Sequence, residues 1–134
     1  MIKTIGKNGK LFNSDYPTPL EFYQKLDEEF NFDFDPCPLN HNLKLWNGLE
    51  ISWGYSNFVN PPYDRKNKKL FILKGIEEYK KGKTVVFLLP VSTSTKIFHE
   101  HILPNKPEIR FIKGRLRFKS TGGSFDSMLV IFKN

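Results

Sequence analysis

The sequence predicts an α/β layered domain with a mostly parallel sheet, and three observations carry that expectation. Amphipathic helical patterns alternate with short apolar runs along the chain. One run, Thr84-Val85-Val86-Phe87-Leu88-Leu89, is continuously apolar and stops at Pro90, the pattern of a strand covered on both faces. The length of 134 residues, 39% hydrophobic with thirteen phenylalanines, suits one well-filled core without accessory modules.

Each element follows in order. Residues 1–14 are polar and glycine-bearing, without a period, and read as a loose arm ahead of a single domain over 15–134. Thr18-Pro19 followed by Leu20, Phe22, Tyr23, Leu26 and Phe30 predicts an amphipathic helix. Threonine supplies its cap, proline its first position, and Glu21 favourable charge in the first turn. Asn31-Phe32-Asp33-Phe34-Asp35 alternates as a short strand, which Pro36 and Pro38 stop. Over 36–55, Leu43 to Trp46 and Leu49 to Trp53 read as short strands about an Asn47-Gly48 turn. Asn57-Phe58-Val59-Asn60 reads as a strand ended by Pro61-Pro62. A helix fits 66–81, with Leu70, Leu73, Ile76 and Tyr79 along one side and Gly82 as its stop. Ser94 stands where it can cap a third helix ending before Pro104. Strands follow around 108–113, 114–119 and 127–132, with Gly114 and Gly122-Gly123 at turns.

Charge narrows the partner. Lysine and arginine number 21 against 14 acidic residues, a net charge of +7. That balance favours a polyanion, nucleic acid before membrane, because no amphipathic basic helix stands out. No apolar run follows a basic N-terminus and none reaches about 18 residues, so neither a secretory leader nor a membrane span is expected. The one cysteine, Cys37, excludes an internal disulfide and fits a reducing cytoplasm.

Three expected strands end in unusual residues: Asp35-Pro36, Asn60-Pro61-Pro62-Tyr63 and Pro90-Val91-Ser92-Thr93. If these strands run parallel, all three ends meet in the crevice where open α/β sheets bind ligands. The tetrapeptide has a specific chemical capacity. An exocyclic amine such as adenine N6 is a poor nucleophile, its lone pair delocalised into the ring. The Asn60 side-chain oxygen and the Pro61 carbonyl can accept its two hydrogens and let the nitrogen become more tetrahedral. Two prolines fix these acceptors in advance, and Tyr63 offers a face on which an extruded base can stack. The bland reading of the same residues is a strand-to-loop turn with Tyr63 as packing. For Asp35-Pro36 it is a turn initiator.

At these residues the chain resembles the small phage-type Dam-like adenine methyltransferases. The series is Thr18-Pro19, Asp35-Pro36-Cys37, Trp53, Phe58-Val59-Asn60-Pro61-Pro62-Tyr63, Leu88-Leu89-Pro90-Val91 with Thr93, Phe98-His99, and Gly114-Arg115-Leu116-Arg117-Phe118, over roughly 14–134. The resemblance implies a compact Rossmann-like class I methyltransferase domain, mostly parallel with an antiparallel C-terminal hairpin. It implies transfer of a methyl group from S-adenosylmethionine to N6 of adenine in DNA, within the cytoplasm of a phage-bearing bacterial cell. Asn60, Pro61, Pro62 and Tyr63 would be catalytic; Thr18, Pro19, Asp35, Pro36 and Asn60 would hold the donor. Asp35 would bond the donor's ammonium or its ribose hydroxyls. Two features depart from larger methyltransferases: no Gly-x-Gly loop follows Asp35, and the stretch to Asn60 is too short for two full strand-helix units.

Lys113, Arg115, Arg117 and Lys119 alternate with apolar residues, a stripe suited to a phosphate backbone if the segment is one strand. Arg65 and Lys66, with Lys68 and Lys69, follow the tetrapeptide and could clamp the strand beside an extruded base. A solvated basic face is the alternative for either group. The histidines lack metal-site spacing, Cys37 lacks a partner base, and Ser92 and Thr93 lack a triad, so no metal is expected. Other acceptors with the same tetrapeptide are RNA and protein glutamine; a catalytically silent nucleic-acid-binding module is the reading from another class. Oligomeric state is not legible.

Overall fold

The continuous apolar run at Thr84–Pro90 forms the spine of the sheet in the computed structural model, which describes residues 18–39, 41–118 and 123–134. This strand, β2, has Val85 to Leu89 at most 2% exposed. Along one side lies β1 (Ser56–Val59), parallel, in register from Ser56 opposite Thr84 to Val59 opposite Phe87. Along the other lies the C-terminal β6 (Ser127–Phe132), antiparallel, followed outward by β3 (Glu108–Phe111), antiparallel to β6. The order is β1-β2-β6-β3. A separate hairpin pairs β4 (Leu116–Phe118) with β5 (Gly123–Phe125).

The sheet is therefore mixed and not mostly parallel, since only the β1–β2 ladder is parallel. A buried, non-alternating run such as Ser127–Phe132 reads as a central strand in either direction. Its direction is set by the connection from β3, which carries the β4–β5 hairpin instead of the crossover helix a parallel neighbour needs. The expected first strand shrinks to one parallel bridge, Phe34 to Asn57. Asp33 is the reason: its carboxylate accepts the N–H groups of Tyr55 and Ser56 at 3.2 and 3.0 Å, where a ladder would use main-chain carbonyls. Even so, Phe58 N–H reaches the Phe34 carbonyl at 3.1 Å, so the segment runs alongside β1 in the same direction.

Period-two alternation sends the two faces of β2 into two cores. Helix α1 (Leu20–Phe30) covers Phe58, Val86, Leu88, Leu129 and Ile131 with Phe22, Tyr23 and Leu26. Helix α2 (Arg65–Lys80) covers Val59, Val85, Phe87 and Leu89 with Phe71, Ile72 and Ile76. The buried face of α2 is thus rotated from the expected one, and Leu70 is 40% exposed. Beside it sits a short helical stretch, π-wound over Phe98–Ile102 and 3-10 over Leu103–Asn105. This stretch runs through Pro104 instead of stopping before it, and Thr95, not Ser94, accepts the Phe98 N–H at 3.3 Å.

Residues 41–55 form turns, not the two expected strands. Asn42 and Asn47 accept the N–H groups of Lys44 and Leu49 on their side chains, bending the chain where strands would extend it. Gly48 packs so closely that a Cβ would fall 1.9 Å from the Pro36 carbonyl oxygen. At the far edge of the sheet, the buried Glu78 carboxylate meets Lys83 at 2.6 Å, Lys81 at 3.0 Å, Lys74 at 3.3 Å and the Trp53 N–H at 2.8 Å. Burial pushes its pKa up, but these four donors outweigh burial and hold it well below the usual carboxylate range. No helix among the described residues is long and apolar enough to cross a membrane. The arm at 1–14 and the turn residue Gly122 lie outside the described residues.

Candidate active site

Because the Phe34 segment, β1 and β2 run the same way, Asp35, Asn60 and Pro90 all leave the sheet at one edge. Phe111 and Leu89 both pair with Met128, so β3 ends at that edge too. The parallel arrangement on which the crevice depended is present where it matters.

Asn60 is 1% exposed at the end of β1. Its side-chain Nδ2 donates to Thr18 Oγ1 at 2.8 Å, and its main-chain carbonyl accepts the Cys37 thiol at 3.4 Å. The Cys37 N–H in turn donates to Asp35 Oδ1 at 2.9 Å, a turn closed over Pro36. Thr18, Asp35, Pro36, Cys37 and Asn60, from three stretches of chain, are thereby stitched together. Pro61, buried, and Pro62 fix the backbone that follows. Tyr63 donates its hydroxyl to the Leu88 carbonyl at 3.3 Å, which ties the tetrapeptide to the end of β2. Asp64 then caps α2, accepting the Asn67 N–H at 3.0 Å.

Several of these contacts differ from expectation. Thr18 does not cap α1; Pro19 takes the cap position without a side-chain bond, its carbonyl accepting the Tyr23 N–H at 3.0 Å. Cys37 is a hydrogen-bonding bridge. Asp64 was readable, because an aspartate just before a helical run is a cap signal. The Thr18–Asn60 bond had no signal, since 42 residues separate its partners.

Of the basic residues, Arg65 and Lys66 are exposed on the first turn of α2, directly behind the tetrapeptide. Burial lowers the Lys68 pKa, with Arg65 adding to the effect. Lys113 and Arg115 leave the end of β3 on the same edge, but they do not form one strand stripe with Arg117. Gly114, at φ 73°, breaks the strand between them, and β4 begins only at Leu116. Arg115 pairs with Asp126 at 3.1 Å, both well exposed. The Arg117 side chain and Lys119 lie outside what the structure describes. His99 Nε2 lies 2.6 Å from the Thr93 carbonyl and His41 Nε2 2.6 Å from that of Trp46. Among the described residues no group of three His, Cys, Asp or Glu could hold a metal.

Among the described residues the edge presents a carboxylate, a hydroxyl and carbonyl oxygens. Those groups suit a cationic cosubstrate carrying an ammonium and hydroxyls. Rigid acceptors beside such a set, at the strand ends of an α/β sheet, suit a transferase that acts on an exocyclic amine. The family model for DNA N-6-adenine-methyltransferase (Dam) matches residues 10–133. A DNA N-6-adenine-methyltransferase of Haemophilus phage HP1 (strain HP1c1) is 32% identical over 136 residues, covering 88% of this chain and 78% of that one. No solved structure matches. The chain belongs to the Dam family of DNA N-6-adenine methyltransferases. Its reaction is methyl transfer to N6 of adenine in DNA, and it therefore uses a methyl donor.

Proposed function

We propose that the edge formed by Thr18, Pro19, Asp35, Pro36 and Asn60-Pro61-Pro62-Tyr63 is the catalytic site, with S-adenosylmethionine as the donor and an adenine extruded from the duplex as the acceptor. The observation that carries this reading is the buried Asn60, joined to Thr18 and to the Asp35 turn at the shared end of parallel strands. The common direction of β1, β2 and β3, with only β6 reversed among the described strands of the sheet, supports a compact Rossmann-like arrangement for the domain spanning 15–134. The cytoplasm of a phage-bearing bacterial cell is its working compartment.

Asn60 Oδ1 and the Pro61 carbonyl accept the two N6 hydrogens, raising electron density at the nitrogen that attacks. Tyr63, its hydroxyl held by Leu88, presents a ring on which the base stacks. Asp35 bonds the ammonium or ribose hydroxyls of the donor, with Thr18, Pro19 and Pro36 shaping the wall beside it. S-adenosylmethionine supplies a sulfonium-bound methyl, whose bonding pair stays on sulfur as the N–C bond forms. The surplus N6 proton leaves through the acceptors to water. Arg65, Lys66, Lys113, Arg115 and Arg117 contact phosphates.

The test is incubation with DNA and tritiated donor, followed by digestion to nucleosides. Label in N6-methyldeoxyadenosine, lost in Asn60→Ala with the fold retained, supports the site. Label in RNA or protein glutamine alone, or no donor binding in calorimetry, overturns it.

A further inference from the structure

An asparagine amide has two ends of opposite polarity, and only one of them serves an amine acceptor site. The oxygen accepts an N6 hydrogen; turned by half a rotation, the NH2 would confront those hydrogens with hydrogens of its own. The Thr18 hydroxyl engages the NH2 end: its oxygen lies 2.8 Å from Nδ2 and accepts, because an amide NH2 offers no acceptor in return.

Thr18 is itself held firmly. Its β-branched side chain has few rotamers, and the proline after it biases its backbone toward the extended region. Pro19 is tied to α1 through the Tyr23 N–H, and the Tyr23 ring packs edge-on against Phe58 at 5.1 Å. Phe58 lies in β1, the strand that Asn60 follows. A closed circuit thus runs from β1 through α1 to Thr18 and back to Asn60. It also accounts for the absence of the Thr18 helix cap, since the hydroxyl serves Asn60.

We propose that Thr18 is a positioning residue that holds the Asn60 amide in place through its Nδ2; this rests on Asn60 being the N6 acceptor. The role differs from donor binding and makes a separable prediction. In single-turnover methylation with saturating donor, Thr18→Val is expected to slow transfer roughly 10-fold or more. Thr18→Ser, which keeps the hydroxyl, is expected to restore the rate to within about threefold. Because Thr18 also shapes the wall beside the donor, donor affinity by calorimetry is expected to change in both, but by a smaller factor than the rate does in Thr18→Val. The Asn60 side-chain NH2 should lose hydrogen-exchange protection in Thr18→Val only. Thr18→Ala gives the same comparison should the valine variant not fold. An unchanged rate in the folded valine or alanine variant overturns the proposal, as does donor affinity falling in step with rate. A wild-type protein that labels DNA while Asn60→Ala keeps its rate overturns the reading of Asn60 and this inference together.

Discussion

Two buried asparagines stand at opposite ends of β1, Asn57 near its start and Asn60 just past its end, and they are held in different ways. Asn57, at 0% exposure, is closed on itself: Nδ2 donates to the Gly54 and Thr84 carbonyls at 2.9 and 3.0 Å, and Oδ1 accepts the Gly54 N–H at 2.9 Å. Close by, Glu78 is ringed by three lysines and a main-chain N–H. At the other end Asn60 donates to a hydroxyl from another part of the fold, its carbonyl accepts the Cys37 thiol, and the chain leaves through two prolines. The first edge locks α2 and the 52–54 turn onto the sheet. The second holds acceptors in place beside a carboxylate and exposed cations. The two asparagines thus differ in what fixes them, and on the proposed function they differ in work.

The contrast breaks most readily at Glu78. Glu78→Ala leaves Lys74 and Lys83 largely buried without their carboxylate and is expected to cost about 3 kcal/mol in urea unfolding. The methylation rate per folded molecule should remain unchanged. Because the folded pKa lies below the unfolded one, this stabilisation is present above roughly pH 4.3 and is lost as pH falls below it. The stability gap between wild type and Glu78→Ala should therefore close on acidification; a gap constant down to acid pH would contradict the charge network.

Tyr63 sharpens the other side. Tyr63→Ala removes a stacking face and should reduce kcat/KM roughly 10-fold or more, whereas Tyr63→Phe, losing one hydroxyl bond, should stay within about threefold. Equal losses would make the hydroxyl, not the ring, the working part. Smallest is the effect at Arg65. Arg65→Ala should weaken binding to specific and random DNA alike and lower the salt slope by about 0.9, with stability unaltered. Arg115→Ala should do the same, since its exposed pair with Asp126 contributes little to the fold. A salt slope unchanged in both variants would remove these residues from the phosphate track.

How much of this was legible follows from where the information sits. The tetrapeptide, its strand and the helix behind it are local: Phe58-Val59 supplies the apolar run, the prolines the stop, and Gly82 the end of α2. β2 announced its central place by lacking polar residues. The direction of β6 was hidden, because burial on both faces erases the alternation that would reveal a partner. The 41–55 turns were hidden because Leu43, Leu45, Leu49 and Trp53 look strand-like, while Asn42 and Asn47 decide the bend through side-chain bonds. Alternation of Lys113, Arg115 and Arg117 suggested a stripe that the positive φ at Gly114 breaks. The Thr18–Asn60 bond lies between distant residues whose types fit many other roles.

The most direct measurement compares Asn57→Ala and Asn60→Ala for melting temperature and for N6-methyladenine formed per folded molecule. Asn57→Ala is expected to lose roughly 2 kcal/mol of stability while retaining rate below its melting point. Asn60→Ala is expected to lose about 100-fold or more in rate while remaining folded, a loss beyond anything its change in melting accounts for. A near-normal rate in Asn60→Ala, or an equal loss of rate in folded Asn57→Ala, would contradict the division of labour between the two ends of β1.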